Sequence, residues 1–255
     1  MGGTHGHSLY QHGHSPVHGL APEAKIAGLV VFVLAVVSTP RSAFWAFAVD
    51  GVLVLGVAVV AGISVPALAK RLIFELPFLL FAFFLPFIGQ GERVEVLGVS
   101  LSVAGLWGAW NILVKGTLGV AASVVLASTT TVPELLRGLD RLRMPKVVTG
   151  IMGFMIRYGE VITDELHRMK VARQSRGYDP RWIWQARAVA ASAGALFIRS
   201  FERGERVHVA MLARGYTGTL PDTQLGVADE RGGWAVALAV PSIAVVVAVA
   251  AWVLS

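Results

Sequence analysis

Two arginines lie in matching sequence contexts, and their side chains are the groups in this chain best suited to bind a partner. Residues 171–178 read VARQSRGY and residues 209–216 read VAMLARGY, with a constant offset of 38 residues (214 − 176 = 38). The guanidinium group of arginine presents several N–H donors in a planar fork that matches a carboxylate. The repeat therefore predicts two partner-binding motifs. They consist of Ser175, Arg176 and Gly177, and of Ala213, Arg214 and Gly215.

Each motif follows a segment with helical periodicity, so both arginines are expected at the C-terminal end of a helix. A glycine directly after the last periodic residue is the usual left-handed stop of a helix. An arginine in the last turn interacts favourably with the negative end of the helix dipole. Ordinary helix punctuation is the alternative explanation, since an Arg-Gly-Tyr sequence is common by itself. The matching flanking residues favour a binding role.

The N-terminal tail, residues 1–24, offers imidazole groups at close spacing. Closely spaced imidazoles bind divalent transition metals, which makes four histidines weak candidate metal ligands. They are His5, His7, His12 and His14. The alternative is a solvated tail without a specific ligand. The chain has no cysteine, which excludes disulfides, thiolate metal sites and cysteine nucleophiles.

Two ionisable residues, Asp50 and Lys115, interrupt the apolar stretches of the chain. Ionisable side chains inside membrane segments are rare and are functional candidates by default. For Asp50 we consider a role in an ion pathway and a role in helix contacts or at the membrane interface. A long side chain that reaches the membrane surface would explain Lys115 without any further function.

The composition is typical of a membrane protein. Of 255 residues, 55% are hydrophobic and 15% are charged, and the mean hydropathy is +0.65, whereas soluble domains carry about 25% charged residues. The net charge of +6 is expected to report membrane orientation and not binding to nucleic acid. The chain contains no G-x-x-x-x-G-K-[ST] loop, H-E-x-x-H or G-x-S-x-G motif. We therefore expect that it is not an enzyme.

Five apolar runs predict about five transmembrane helices, because one span needs about 20 apolar residues. They cover residues 26–38, 43–63, 72–89, 96–128 and 234–255. The third run contains Pro77 and Pro86, and prolines often kink a membrane helix. The fourth run is long enough for one tilted helix or for an interfacial piece followed by a span. The predicted fold is an all-α, polytopic membrane protein.

The segment between the fourth and fifth runs, residues 131–231, is too charged to span a membrane and too periodic to be disordered. Apolar residues recur at helical spacing over Val147–Arg176 and over Arg187–Arg214, which predicts two long amphipathic helices. A shorter amphipathic piece covers Pro133–Arg143. The chain then divides into a tail, four membrane helices, a module of amphipathic helices and a final span. The boundaries are 1–24, 25–130, 131–231 and 232–255.

Basic residues in the loops predict the orientation in the membrane. Lys25, Lys70, Arg71 and the charged segment 131–231 lie on one side, while the other side carries Arg41 and a loop without a basic excess. The positive-inside rule therefore places the N-terminus and the amphipathic module in the cytoplasm and the C-terminus outside. The expected location is the cell membrane, plasma or inner.

Four further stretches carry a recognisable pattern. They read SPVHGLAPEAK at 15–25, STTTVPELLRGL at 128–139, MPKVV at 144–148 and ERGERVHVAMLARGY at 202–216. Together they make nearly the full length resemble the T component of energy-coupling-factor transporters, most closely the cobalt-type CbiQ-like group. In that family two coupling helices end in short Ala-Arg-Gly motifs, whose arginines match Arg176 and Arg214. Ser175 departs from the pattern, because alanine is more common there.

The resemblance implies a scaffold that binds neither ATP nor the transported substrate. In this family the coupling helices contact two ABC-type ATPase subunits and transmit their motion to a separate substrate-binding membrane subunit. The six motif residues would then contact the ATPase subunits. ATP and Mg²⁺ would bind to those partners, this chain would bind no cofactor, and the transported substrate would be cobalt ion for cobalamin synthesis.

Other functions remain open at this point. A T component for nickel or for a vitamin would share the same motifs. A membrane enzyme with an active site at the cytoplasmic face would need a convergent acid, base or metal cluster, which the sequence does not display. A self-contained metal channel would need polar residues in several spans, and Asp50 and Asn111 are too few.

Overall fold

The computed structural model describes residues 10, 11, 13, 15–96, 99–178, 186–218 and 233–254, and its regular structure is almost entirely helical, which confirms the predicted all-α class. The helices in these residues are α1 Pro22–Ser38, α2 Phe44–Val60, α3 Val65–Arg71, α4 Leu76–Ile88, α5 Val103–Thr129, α6 Val132–Arg141, α7 Lys146–Ser175, α8 Ala186–Ala213 and α9 Gly233–Leu254. A short 3-10 turn, Leu72–Glu75, joins α3 to α4.

The chain divides into two compact units. The first consists of Met1–Leu142 together with Ala228–Ser255, and the second consists of Arg143–Val227. In the first unit α6 packs against α1, although the sequence grouped this helix with the charged module 131–231. The predicted fourfold division of the chain stays a prediction.

Two described helices, α5 and α9, are long and apolar enough to cross a membrane. The pair α2 and α3 meets the same criteria when it is taken together, but the two helices are bent by 115° at the break between them. Helix α4 is apolar and has 13 residues, fewer than the roughly 20 that a straight span needs. The described residues therefore contain two to three span candidates, and the count of five stays a prediction.

A two-stranded antiparallel hairpin precedes α5 and is absent from the elements expected above. Strand β1, Arg93–Val96, pairs with β2, Val99–Ser102, so that Arg93 lies opposite Ser102. The strand sequences RVEV and VSLS alternate polar and apolar residues, which is the period of a strand. The hairpin also answers the open question about residues 96–128, because after it the chain forms a single helix, α5.

The core of the first unit lies among α1, α2, α5 and α9. Its buried members include Phe32, Val36, Phe47, Val125 and Ala248. Small residues allow close contact between helices: a Cβ atom at Gly28 of α1 would lie 3.2 Å from the carbonyl oxygen of α9 residue 237. Such small-residue contacts are typical of helix packing in membranes, where lipid is as apolar as the side chains.

The second unit is a pair of long helices. Helices α7 and α8 begin and end within one residue of the predicted Val147–Arg176 and Arg187–Arg214, which confirms that prediction. They run antiparallel where they meet: Glu165 contacts Arg199 and Arg203, and further along α7 Arg173 contacts Ser192. Large apolar side chains on both helices remain exposed; they include Met155 at 68%, Phe197 at 71% and Phe201 at 61%.

Candidate functional site: two helix ends that carry arginine

The two arginine motifs form the same structure at the ends of α7 and α8. The N–H of Tyr178 donates to the carbonyl of Arg173 (3.1 Å), and the N–H of Gly177 donates to that of Gln174 (2.9 Å). At the end of α8, Tyr216 donates to the carbonyl of Met211 (3.0 Å) and Gly215 to that of Leu212 (3.0 Å). These are the two hydrogen bonds of the Schellman motif.

The glycines of both motifs adopt the left-handed conformation that the sequence predicts. Gly177 has a φ of 74° and Gly215 has a φ of 82°. Residues with a Cβ atom pay a steric penalty in this region. The repeated Arg-Gly-Tyr sequence therefore ends each helix, and the arginine directly follows the last helical residue.

Both motif arginines are available for a partner. Arg176 and Arg214 are exposed, and neither takes part in an ion pair within the described residues. Gly177, Ala213 and Gly215 are exposed as well. The hydroxyl of Ser175 donates to the carbonyl of Val171 at 3.0 Å, so this departure from alanine is satisfied within its own helix. Among the described residues, the two guanidinium groups at these helix C-termini therefore have no acidic partner.

The antiparallel contact between α7 and α8 separates the two arginine motifs. Arg173, three residues before Arg176, donates to the Ser192 hydroxyl at 2.9 Å. Arg214 follows Ser192 by 22 residues (214 − 192 = 22) along α8. At 1.5 Å per residue, this places the two motifs about 30 Å apart.

Glu165 holds the two long helices together near their contact point. Its oxygens accept from Arg199 at 2.9 Å and from Arg203 at 3.4 Å. The hydrogen bond from Arg199 holds the pKa of Glu165 below its usual value; the charges of Arg199, Arg203 and Arg168 act in the same direction and desolvation opposes them. The carboxylate is therefore ionised at neutral pH and joins α7 to α8.

A polar junction in the first unit explains the stretch at 128–131, whose role the sequence left unassigned. Lys25 at the start of α1 donates to the carbonyls of His18 and Thr129, both at 3.0 Å, and to the hydroxyl of Thr130 at 3.3 Å. The guanidinium of Arg71 donates to the buried hydroxyl of Ser128. Basic groups from α1 and α3 thus converge on the end of α5.

The start of α6 continues this junction. Thr131 and Glu134 form a capping box, in which the N–H of Thr131 donates to Glu134 at 2.8 Å. A Cβ atom at Gly138 would lie 2.9 Å from the backbone nitrogen of Glu23, and Arg141 forms an ion pair with Glu23 at 2.9 Å. The capping pattern S/T-x-x-E was visible in the sequence, whereas its packing against α1 was not.

The histidine candidates contribute no described site. His5, His7, His12 and His14 lie outside the described residues. His18 is described, and its ring contacts the Ser15 hydroxyl at 2.7 Å and the carbonyl of Gln11 at 3.0 Å. Among the residues that the structure covers, no group of three or more His, Asp or Glu side chains could hold a metal ion.

Comparison with known proteins agrees with this architecture. The family described as cobalt transport protein CbiQ matches residues 13–225. The chain is 26% identical over 228 residues to the energy-coupling factor transporter transmembrane protein EcfT of Streptococcus thermophilus, which covers 81% of this chain and 83% of that protein. Over 126 residues it is 28% identical to a protein of Methanocorpusculum labreanum named as a fused cobalt transport protein CbiMQ, covering 49% of this chain and 20% of that protein.

Other relatives match over shorter stretches. An uncharacterized protein of Methanocaldococcus jannaschii is 34% identical over 102 residues, which is 40% of this chain and 38% of that protein. A second uncharacterized protein of the same organism is matched over 48% of its length, so the chain spans less than half of either relative. Because the CbiQ family matches 213 of the 255 residues (225 − 13 + 1 = 213), the chain belongs to this family.

Proposed function

We propose that this chain is the coupling subunit of an importer, in which it transmits the motion of two ABC-type ATPase subunits to a separate substrate-binding membrane subunit. The observation that carries the proposal is the pair of identical helix ends, each with an exposed arginine that lacks an ion-pair partner within the described residues. A guanidinium fork at a helix end fits a carboxylate in a groove of a partner.

The separation of the motifs supports two ATPase contacts. Sites about 30 Å apart along a rigid helix suit two copies of one partner, each of which receives one arginine motif. The two helices are joined by Glu165 and its arginines, so movement of one motif changes the position of the other. A subunit of this kind transmits force without chemistry of its own, and ATP and Mg²⁺ are bound by the partners.

The proposed cargo is cobalt ion. The family description and the name of the Methanocorpusculum relative support this choice, while relatives named only as energy-coupling factor components leave nickel or a vitamin as competing cargoes. In our proposal the substrate-binding subunit selects the ion. Exchange of that subunit for one of nickel type should therefore change the cargo, whereas exchange of this chain for a close relative should not.

Reconstitution into liposomes tests the proposal. We expect neither ATP hydrolysis nor cobalt accumulation from the purified chain alone. Both activities should appear when the ATPase pair and the substrate-binding subunit are added with ATP and Mg²⁺. Concentrative uptake of labelled cobalt by this chain alone would contradict the coupling model and favour a self-contained transporter.

A further inference from the structure

Asp50 is a buried carboxyl group without a partner. It is 0% exposed in the middle of α2, and neither of its oxygens accepts a hydrogen bond within the described residues. Glu75, the other buried carboxyl group among the described residues, has a donor within reach, because the hydroxyl of Thr117 lies 3.0 Å from each of its oxygens. An ionised carboxylate without a partner is strongly unfavourable in apolar surroundings. A cationic donor near Asp50 would therefore stabilise the ionised form of its carboxyl group.

The contacts between α2 and α5 define which residues can reach Asp50. A Cβ atom at Gly51 would lie 3.9 Å from Leu118, and the ring of Phe44 lies 5.2 Å from that of Trp110. The residue numbers rise together along both helices (118 − 51 = 67 and 110 − 44 = 66). The helices are therefore parallel, and each α2 residue lies at the level of the α5 residue about 67 positions later.

Lys115 is placed to reach Asp50. On this register Asp50 lies at the level of residue 117 (50 + 67 = 117), two residues from Lys115, which corresponds to about 3 Å along the axis. The Lys115 ammonium lies 6.0 Å from the ring of Phe47, one turn before Asp50. The flexible four-carbon stem of lysine covers such a distance.

Among the described helices that pack on α2, Lys115 is the cation closest in level to Asp50, because Lys70 of α3 is exposed. Helix α9 contains no ionisable residue, and Lys115 is the single ionisable residue of α5. Helix α3 carries Lys70 and Arg71 near its end, and Arg71 donates to Ser128. Within the described residues the hydrogen-bond partner of Lys115 is neutral, since its ammonium donates to the carbonyl of Val37 at 2.7 Å.

We propose that Asp50 and Lys115 form a buried ion pair in a second arrangement of the helices, in which the Lys115 ammonium moves from the carbonyl of Val37 to the Asp50 carboxylate. In the present arrangement Lys115 donates to a carbonyl of α1, and in the second it would pair with a carboxylate of α2. It supplies the membrane part with two discrete states, which is what a coupling element requires. The inference rests on the proposed coupling function.

Carbodiimide cross-linking tests the contact directly in the wild-type protein, with Lys115→Met as the control. The complete transporter is treated in liposomes with dicyclohexylcarbodiimide, which activates membrane-embedded carboxyl groups, both without nucleotide and during ATP turnover. We expect an amide bond between Asp50 and Lys115, detected by mass spectrometry in at least one condition and absent from Lys115→Met. A bond between Glu75 and Lys115 instead, or no bond to Lys115 in either condition, would overturn the proposal.

Uptake by paired variants tests whether the ion pair matters for transport. Asp50→Asn and Lys115→Met should each lower cobalt uptake about tenfold, and the double variant should be no slower than the slower single variant, as expected for two residues that act as one pair. Asp50→Glu, which keeps the charge, should retain most of the activity. Uptake by Asp50→Asn within about twofold of wild type, or effects that multiply in the double variant, would refute the pair.

Association with the ATPase subunits separates this inference from the function on which it rests. Asp50→Asn should co-purify with the ATPase subunits as well as wild type, because Asp50 is buried in the first unit. If the wild-type chain binds no ATPase subunit, the coupling proposal fails. If binding is normal but the cross-link is absent, the ion pair alone is wrong.

Discussion

Arg176 and Arg214 end their helices through the same pair of backbone hydrogen bonds, so the sequence repeat is also a repeat of local geometry. Their side chains are exposed and make no ion pair in the described part of the chain. A residue of this kind contributes little to the stability of its own fold. Its charge contributes to binding when it pairs with an oppositely charged group of a partner.

We therefore expect Arg176→Ala and Arg214→Ala to weaken binding of the ATPase subunits without lowering the amount of protein in the membrane. Removing one member of a desolvated charge pair costs about 2–5 kcal/mol, and the double variant should be close to inactive in uptake. Co-purification with tagged ATPase subunits provides the measurement. Arg206→Ala, which removes an exposed arginine from the side of α8, is the matched control and should bind normally. Equal loss in the control would contradict a specific role of the helix ends.

At the scale of single residues, the sequence predicted what depends on local geometry. A glycine directly after a periodic segment predicts a left-handed residue that ends the helix. Gly177 and Gly215 have this conformation. The isolation of Asp50 could not be predicted in the same way. Its burial and the absence of a hydrogen-bond partner in the described part of the chain depend on which face of α5 meets α2, and that face is determined by the packing of distant parts of the chain.

At the scale of elements, α7 and α8 depend on a charged contact that responds to pH. The pKa of Glu165 lies below its value in the unfolded chain, chiefly because Arg199 donates a hydrogen bond to it. The stabilising contribution of such a carboxylate is present above the unfolded pKa, about 4.3, and is lost as the pH falls through the lower, folded pKa. Acid should therefore loosen the contact between α7 and α8.

Glu165→Gln should remove this dependence. The thermal midpoint of the purified wild-type chain in detergent should fall on acidification below about pH 5 by more than that of the variant. At neutral pH the variant should be the less stable of the two, because it lacks the two ion pairs. Asp164→Asn, at an exposed neighbouring position, is the control and should follow wild type. Parallel pH profiles for wild type and Glu165→Gln would contradict the assigned role.

The contact between α4 and α5 depends on a missing side chain. A Cβ atom at Gly105 would overlap the backbone of Leu85 and lie 2.8 Å from the Cα atom of Pro86. Gly105→Ala should therefore destabilise the chain by about 1–3 kcal/mol, measured by thermal unfolding in detergent. Gly119→Ala in the same helix meets nothing within 4 Å and should not destabilise it. Equal stability of the two variants would show that α4 can move away from α5 without cost.

Sequence periodicity predicted the long helices but not the short elements. The boundaries of α7 and α8 were predictable because thirty and twenty-eight residues of regular pattern average out local exceptions. The hairpin β1–β2 has only four residues in each strand, and the long apolar run that follows it obscured this short alternation. The second apolar run was expected to end at residue 63 and the third to begin at residue 72, so the short helix α3 and the 115° bend before it were not predicted.

At the scale of the whole molecule, basic residues of the first unit make contacts at both ends of α5. Lys25 of α1 and Arg71 of α3 both contact the stretch 128–130 at the end of α5. Arg41 lies 5.6 Å from the ring of Trp107, near the beginning of α5. Since α5 is long enough to cross a membrane, these two groups of contacts would lie at opposite membrane surfaces.

This distribution leads to a prediction about orientation. The end of α5 that gathers Lys25 and Arg71 also leads directly into α6 and then into the strongly basic segment that follows, so the excess of positive charge lies at one surface. By the positive-inside rule that surface faces the cytoplasm.

A reporter enzyme that is active only in the cytoplasm should therefore be active when it is fused after Arg143. The same reporter fused after Ser255 should be inactive, because α9 carries the chain across the membrane once more. A periplasmic reporter at both positions is the control and should give the opposite pattern. Activity of the cytoplasmic reporter after Ser255 together with silence after Arg143 would reverse the orientation, and it would place the two arginine motifs where no ATPase subunit can reach them.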